Sequence, residues 1–168
     1  MTSRVISLEE WAVATCGSME DVATGALGLA DFKISTVHQL STDADCGGYI
    51  PLLTDLESVQ IGLATDLESC RKLSRLLLVL DDDEPDPPLA EVRDAIGEIA
   101  NVMAGAIKTR ICNAREGVDI QLGLPFFVHG RIAPVAGLAD AVLRFEAEGI
   151  TCDIHVMHRP HRDKRRAA

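Results

Sequence analysis

The run Gly48-Tyr-Ile-Pro-Leu-Leu-Thr-Asp-Leu-Glu-Ser-Val-Gln-Ile-Gly-Leu-Ala64 decides the fold class. Val59, Ile61 and Leu63 alternate with Ser58, Gln60 and Gly62, the two-residue period of a strand with one buried face. Residues 48–54 read as a second strand. The link Thr54-Asp55-Leu56-Glu57 has hairpin length, so the two strands run antiparallel. Asp45-Cys46-Gly47-Gly48 marks a turn into the pair.

Outward from this hairpin, the chain alternates helices with groups of strands. Ser7, with Glu10 three residues later, has the spacing of a capping box. Leu8, Trp11, Ala12, Thr15, Met19 and Val22 then recur at helical steps, predicting a helix from Ser7 to about Ala26. Residues 33–39 read as a strand. Thr65 or Asp66 caps a helix reaching about Leu80, whose apolar positions are Leu67, Cys70, Leu73, Leu77 and Leu80. The segment Asp81-Asp-Asp-Glu-Pro-Asp-Pro-Pro88 holds five carboxylates and three prolines, so it is an exposed loop. A long helix follows over about 89–111, then strand-like runs at 118–128, 140–146 and 150–157, the last two joined by a tight turn at Glu148-Gly149. The order α-β-β-β-α-α-β-β-β predicts an α+β fold, a largely antiparallel sheet with helices packed on it.

A chain of 168 residues with 47% apolar residues and a mean hydropathy of +0.14 has the balance of one globular domain. No apolar run is long enough to span a bilayer, and Met1-Thr2-Ser3-Arg4 opens no signal-peptide core, so the expected location is cytoplasmic. The net charge is −10, but the last ten residues carry about +4, which leaves the body near −14. An acidic body repels phosphate backbones, so nucleic acid is not an expected partner. The division expected is one domain over 1–157 and a basic tail over 158–168. Five cysteines without a Cys-x-x-Cys pair argue against disulfides and against zinc. His155, His158 and His161 and the acidic loop 81–86 are weak candidates for a metal, and none is expected.

The helix Glu91-Val-Arg-Asp94-Ala-Ile-Gly-Glu98-Ile-Ala-Asn101-Val-Met-Ala-Gly105-Ala-Ile-Lys108 carries two stripes. Ala95, Ile99, Val102 and Ala106, widened by Ile96, Met103 and Ile107, form the expected buried face. Opposite run Glu91, Asp94, Glu98, Asn101, Gly105 and Lys108. Asp94, Glu98 and Asn101 therefore share one line, spanning about 10 Å. Asn is a poor helix former, and Gly97 and Gly105 each cost roughly 1 kcal/mol against Ala. Helix stability did not choose these residues; a glycine beside a polar stripe lets another backbone come close.

Asp94-x-x-x-Glu98-x-x-Asn101, followed by Pro125, resembles the signature of the CheC and CheX chemotaxis phosphatases. Glu98–Lys108, Leu122–Gly130 and Phe145–Gly149 are similar to the same family, and the likeness fades towards the first helix. Only one Glu-x-x-Asn copy is present, because Leu8-Glu9-Glu10-Trp11 has no Asn at the needed step. A single copy points to the CheX type. The resemblance implies a phosphatase acting on the aspartyl-phosphate of a CheY-like response regulator. Asn101 would orient the attacking water, Glu98 would pair with the receiver's lysine, and Asp94 and Gly105 would belong to the binding face. It also implies a homodimer, no cofactor of its own, and Mg²⁺ supplied by the phosphorylated receiver. Flagellar switch proteins share this architecture, so a non-catalytic receiver-binding or scaffold module is the competing expectation.

Overall fold

Ser7 caps the first helix, α1 (Leu8–Asp21), through a capping box in which the side chains of Ser7 and Glu10 each accept from the other's backbone N–H. A turn of π-helix, Val22–Ala26, continues it. The structure, a computed structural model, describes residues 5–132 and 139–160. Three strands follow: β1 (Lys33–Val37), β2 (Cys46–Leu53) and β3 (Glu57–Thr65). The link between β2 and β3 closes as expected, with the Thr54 N–H donating to the Glu57 carbonyl at 3.0 Å. Asp66 rather than Thr65 caps α2 (Leu67–Leu78), accepting from the Ser69 N–H at 2.8 Å. Then come α3 (Leu89–Ala114), β4 (Gln121–Leu122), β5 (Phe126–His129), β6 (Ala139–Ala147) and β7 (Ile150–Pro160).

The seven strands form one antiparallel sheet in the order β1-β6-β7-β3-β2, with β4 and β5 both paired to the outer edge of β2. Among the described residues the fold is thus α+β, a mostly antiparallel sheet with three α-helices. The sequence run 118–128, read as one strand, is two. β4 pairs with Leu52 and Leu53, and β5 pairs with Cys46–Tyr49. Between them the Gly123 N–H donates to the Pro51 carbonyl at 2.8 Å. A side chain at 123 would strike the Pro51 ring at 2.4 Å, so only glycine passes there. Pro125 then has no N–H for a ladder, and pairing resumes only at Phe126.

The last strand, expected over 150–157, runs further. β7 runs to Pro160, with His158 opposite Val59 and Arg159 opposite Ser58. The rest of the expected basic tail, 161–168, lies outside the described residues.

Alternation sorts each strand. Ile50 and Leu52 of β2, Ile61 and Leu63 of β3, Phe145 of β6 and Ile154 and Val156 of β7 build the core with Trp11, Met19, Ile96, Ile99 and Met103. α3 lies centrally, packed against α1, α2 and β2. A side chain at Gly48 would lie 2.8 Å from Ile96 Cγ2, so glycine there lets α3 sit close on β2. Three neighbours give α3 a broad buried arc: Val92, Ile96, Ile99, Ala100, Met103, Ile107 and Ile111. Val102, expected on the buried face, is 40% exposed, because the arc centres on Ile96–Met103 and not on Val102–Ala106.

Candidate functional site

α3 starts at Leu89 after Pro88, whose φ of −63° suits a helix entry. Its 26 residues are held on three sides, which makes it a rigid platform. Glu91, Asp94, Glu98 and Asn101 all face solvent along its open side, while Gly105 and Lys108 are half-buried. The stripe drifts inward because steps of three and four fall slightly behind the 3.6-residue turn.

Among the described residues, neither the Glu98 nor the Asn101 side chain has a hydrogen-bond or ion-pair partner. Asp94 is engaged: Arg93 Nε lies 3.6 Å from its Oδ1, both side chains being exposed. Beside the Asn101 carboxamide, one turn away, the stripe therefore presents the uncommitted Glu98 carboxylate, with Glu91 two turns further towards the N-terminus. The carboxylate only accepts, so it suits a cation. The carboxamide donates and accepts, so it can hold a water in a chosen direction.

Pro125, remote in sequence, comes down against α3 beside Glu98. A Cβ placed on Gly97 would lie 3.9 Å from the Pro125 Cβ. Between the helix and the start of β5 runs a groove of about 450 Å³, lined by Arg93, Asp94, Gly97, Glu98, Pro125, Phe126 and Phe127. Sequence reasoning did not find this groove. The available signal was the Phe126-Phe127 pair: on a strand, adjacent side chains point to opposite faces, so both rings cannot enter one core. Phe127 packs against the core and Phe126 is 45% exposed, stacked on Tyr49 with ring centroids 5.8 Å apart.

The histidine candidates do not converge. The His155 ring nitrogen Nε2 lies 3.1 Å from Asp140 Oδ2, and that of His158 lies 2.5 Å from Glu57 Oε2. Three residues apart on one strand, they face opposite sides of the sheet. His161 lies outside the described residues. The acidic loop is gathered by Arg75, which donates to the carbonyls of Asp81 and Glu84 and lies 3.4 Å from Asp86. Among the described residues no cluster of three His, Cys, Asp or Glu could hold a metal.

The buried thiols are held protonated. Burial pushes Cys46 up to about 11 and raises Cys70 and Cys152 further, the reverse of what a nucleophilic cysteine needs.

Comparison with known proteins bears on the family and the fold. The family model described as "Chemotaxis phosphatase CheX" matches residues 47–145, more than half of the chain. No curated protein matches. Among solved structures, chemotaxis protein CheX from Vibrio vulnificus is similar over 92% of this chain and 100% of that one, at 16% identity and a TM-score of 0.72. The CheX-CheY-BeF3-Mg²⁺ complex from Borrelia burgdorferi matches over 93% of this chain and 99% of that one, at 17% identity and a TM-score of 0.72. FliY from Thermotoga maritima matches at 15% identity and a TM-score of 0.59, over 94% and 92% of the two chains. At such identities the structural likenesses establish the fold; they do not establish a site.

Proposed function

The chain belongs to the CheX family of chemotaxis phosphatases, and from that premise we propose that it hydrolyses the aspartyl-phosphate of a CheY-like response regulator, with Asn101 and Glu98 as its working residues. The observation that carries this reading is the uncommitted Glu98 and Asn101 pair, one turn apart on the solvent side of α3. A complex of CheX with CheY, BeF3 and Mg²⁺ exists for a structural relative, which supports a receiver as partner and Mg²⁺ as the receiver's contribution.

Phosphoryl transfer asks mainly for orientation and electrostatic stabilisation. The receiver brings the phosphoryl group, its lysine and its Mg²⁺. Asn101 inserts its carboxamide and directs a water in line with the bond from phosphorus to the aspartyl oxygen. That bond breaks as the water oxygen bonds phosphorus, leaving inorganic phosphate and a free aspartate. Glu98 pairs with the receiver's lysine and fixes the depth of insertion. Asp94, held by Arg93, and Gly105, whose added Cβ would meet nothing within 4 Å, belong to the contact face. No helix among the described residues is long and apolar enough to cross a membrane. We further propose that it acts as a cytoplasmic homodimer on a diffusing receiver.

The test is the decay of a phosphorylated CheY-like receiver in Mg²⁺, alone, with the protein, and with its Asn101→Ala variant. Acceleration by the unmodified protein and none by the variant is expected, both binding the receiver alike. Binding without acceleration by either would turn the reading to a non-catalytic module of the same fold. An equally active Asn101→Ala would remove Asn101 from the mechanism.

A further inference from the structure

α2 ends at Leu78, and Val79 follows in the left-handed region, at φ 54° and ψ 45°. Helices commonly end this way on glycine, and for a β-branched residue the conformation is costly. The Val79 side chain is 84% exposed, so core packing does not explain the choice. Among the described residues one other non-glycine residue has a positive φ, Glu148 at 47°. It opens the β6–β7 turn, where asparagine or glycine is the usual occupant. Its side chain is exposed too and meets no partner among the described residues. Both residues line one groove of about 560 Å³, whose walls are the end of α2, the segment after the π-helical turn and the β6–β7 turn. Strain that the fold does not use, repeated on two walls of one groove, points to an occupant outside the chain.

We infer that this groove seats a lysine- or arginine-bearing amphipathic helix of a partner protein. It is separate from the polar stripe, because no residue of α3 lines it. Its floor is apolar: Leu27 and Ile150 are buried, Ala26 and Leu76 half-buried, and Val79 raises one edge. Its rim is acidic in effect. Lys72 lies 2.9 Å from Glu68 and donates to the Gly149 carbonyl at 3.3 Å. Arg75 donates to the Asp81 and Glu84 carbonyls and lies 3.4 Å from Asp86. The carboxylates of Asp81, Asp82 and Glu148 have no such partner among the described residues. An apolar floor under uncommitted carboxylates fits an apolar side chain flanked by cations. The walls are a helix end and two turns rather than a strand edge, so the fitting segment is a helix, whose backbone bonds are internal. The other basic segment at hand is 161–168 of this chain, and the experiment separates the two.

The probe is a synthetic helix of leucine and lysine, with its leucines three and four residues apart. Its control has the same composition with the leucines spread around the helix. Both are titrated at physiological ionic strength against the unmodified protein, Val79→Gly, the double variant Asp82→Asn, Glu148→Asn, and a variant without 161–168. Thermal melts and amide chemical shifts are recorded alongside. The amphipathic peptide should bind the unmodified protein and shift the amides of Leu27, Val79 and Ile150, and the control should bind about tenfold more weakly or worse. Val79→Gly should raise the Tm, because glycine relieves the left-handed backbone, yet raise Kd about tenfold. The double variant should weaken binding to a similar extent and keep its fold, asparagine suiting the turn. Equal binding of the two peptides, equal binding by Val79→Gly and the unmodified protein, or shifts confined to another face would each overturn the groove. So would an unmodified protein and a shortened one that both bind neither peptide. Markedly tighter binding once 161–168 is removed would give the groove to that segment and overturn the partner helix. None of these readouts depends on phospho-receiver decay, so the reading of Asn101 and Glu98 stands or falls separately.

Discussion

The Glu57 carboxylate meets the His158 imidazole at 2.5 Å, with the two side chains only 1% and 7% exposed. The other oxygen of Glu57 accepts the Ile6 N–H at 2.9 Å, so one side chain ties β3 to β7 and to the segment before α1. Removing one member of such a pair strands the rest in an apolar setting. Glu57→Ala should lower stability by about 3 kcal/mol or more, read as a lower urea midpoint at unchanged slope. The double variant Glu57→Leu, His158→Phe should lose less than the two single losses combined.

Glu98→Gln keeps the shape of the stripe and removes its charge. Affinity for the activated receiver should fall about tenfold, and the salt dependence of binding should flatten, because the lost contact is between opposite charges. Stability should not change, since Glu98 has no partner among the described residues. Binding isotherms at two ionic strengths, beside a thermal melt, read all three.

The five cysteines should divide by reactivity. Cys46, Cys70 and Cys152 are buried, Cys16 and Cys112 half-buried. With Cys46 raised from 9.0 to about 11, its thiolate fraction near pH 8 falls about a hundredfold. A thiol reagent should therefore leave Cys46, Cys70 and Cys152 unmodified in the folded protein and label all five after denaturation. Mass spectrometry of labelled peptides distinguishes the two groups.

Glu10 is held below the usual carboxylate range, chiefly by the Ser7 backbone N–H, with the Ser7 hydroxyl and Arg115 adding to it. A depressed folded-state pKa contributes stability above the unfolded value of about 4.5 and loses it as pH falls through the folded value. Glu10→Gln should melt below the unmodified protein at pH 6. The gap should narrow as pH is lowered through 4 towards 3, because protonation removes from the unmodified protein what the variant already lacks.

Local features were legible in the sequence and long-range ones were not. The Ser7–Glu10 capping box, the alternation of Val59, Ile61 and Leu63, and the Glu148-Gly149 turn each depend on neighbours a few residues away. The structure holds all three, the turn with φ values of 47° and 73°. The division of 118–128 into two strands depends on Pro51 facing Gly123 across the sheet edge, a contact between residues far apart in the chain. The strand to Pro160 was hidden because Arg159 and its basic followers look like solvated tail, whereas His158 is drawn in by Glu57. Val102 was misplaced because the buried arc of α3 is set by α1, α2 and β2 together. The line of Asp94, Glu98 and Asn101 was readable because one helix carries it; the groove beside it was not, because β5 supplies the other wall.

The sheet order has a consequence for synthesis. Among the described residues β1 finds its only strand partner in β6, Lys33 opposite Glu146, more than a hundred residues later. At roughly 5–20 residues per second, a ribosome takes on the order of 5–20 s to make that distance. During this interval β2 and β3 can pair with each other, but β1 and the free edge of β3 wait for the β6–β7 hairpin. The nascent chain must spend those seconds with α1 lacking much of the floor it will finally rest on, and the arrival of the β6–β7 hairpin, rather than any early local step, completes the sheet.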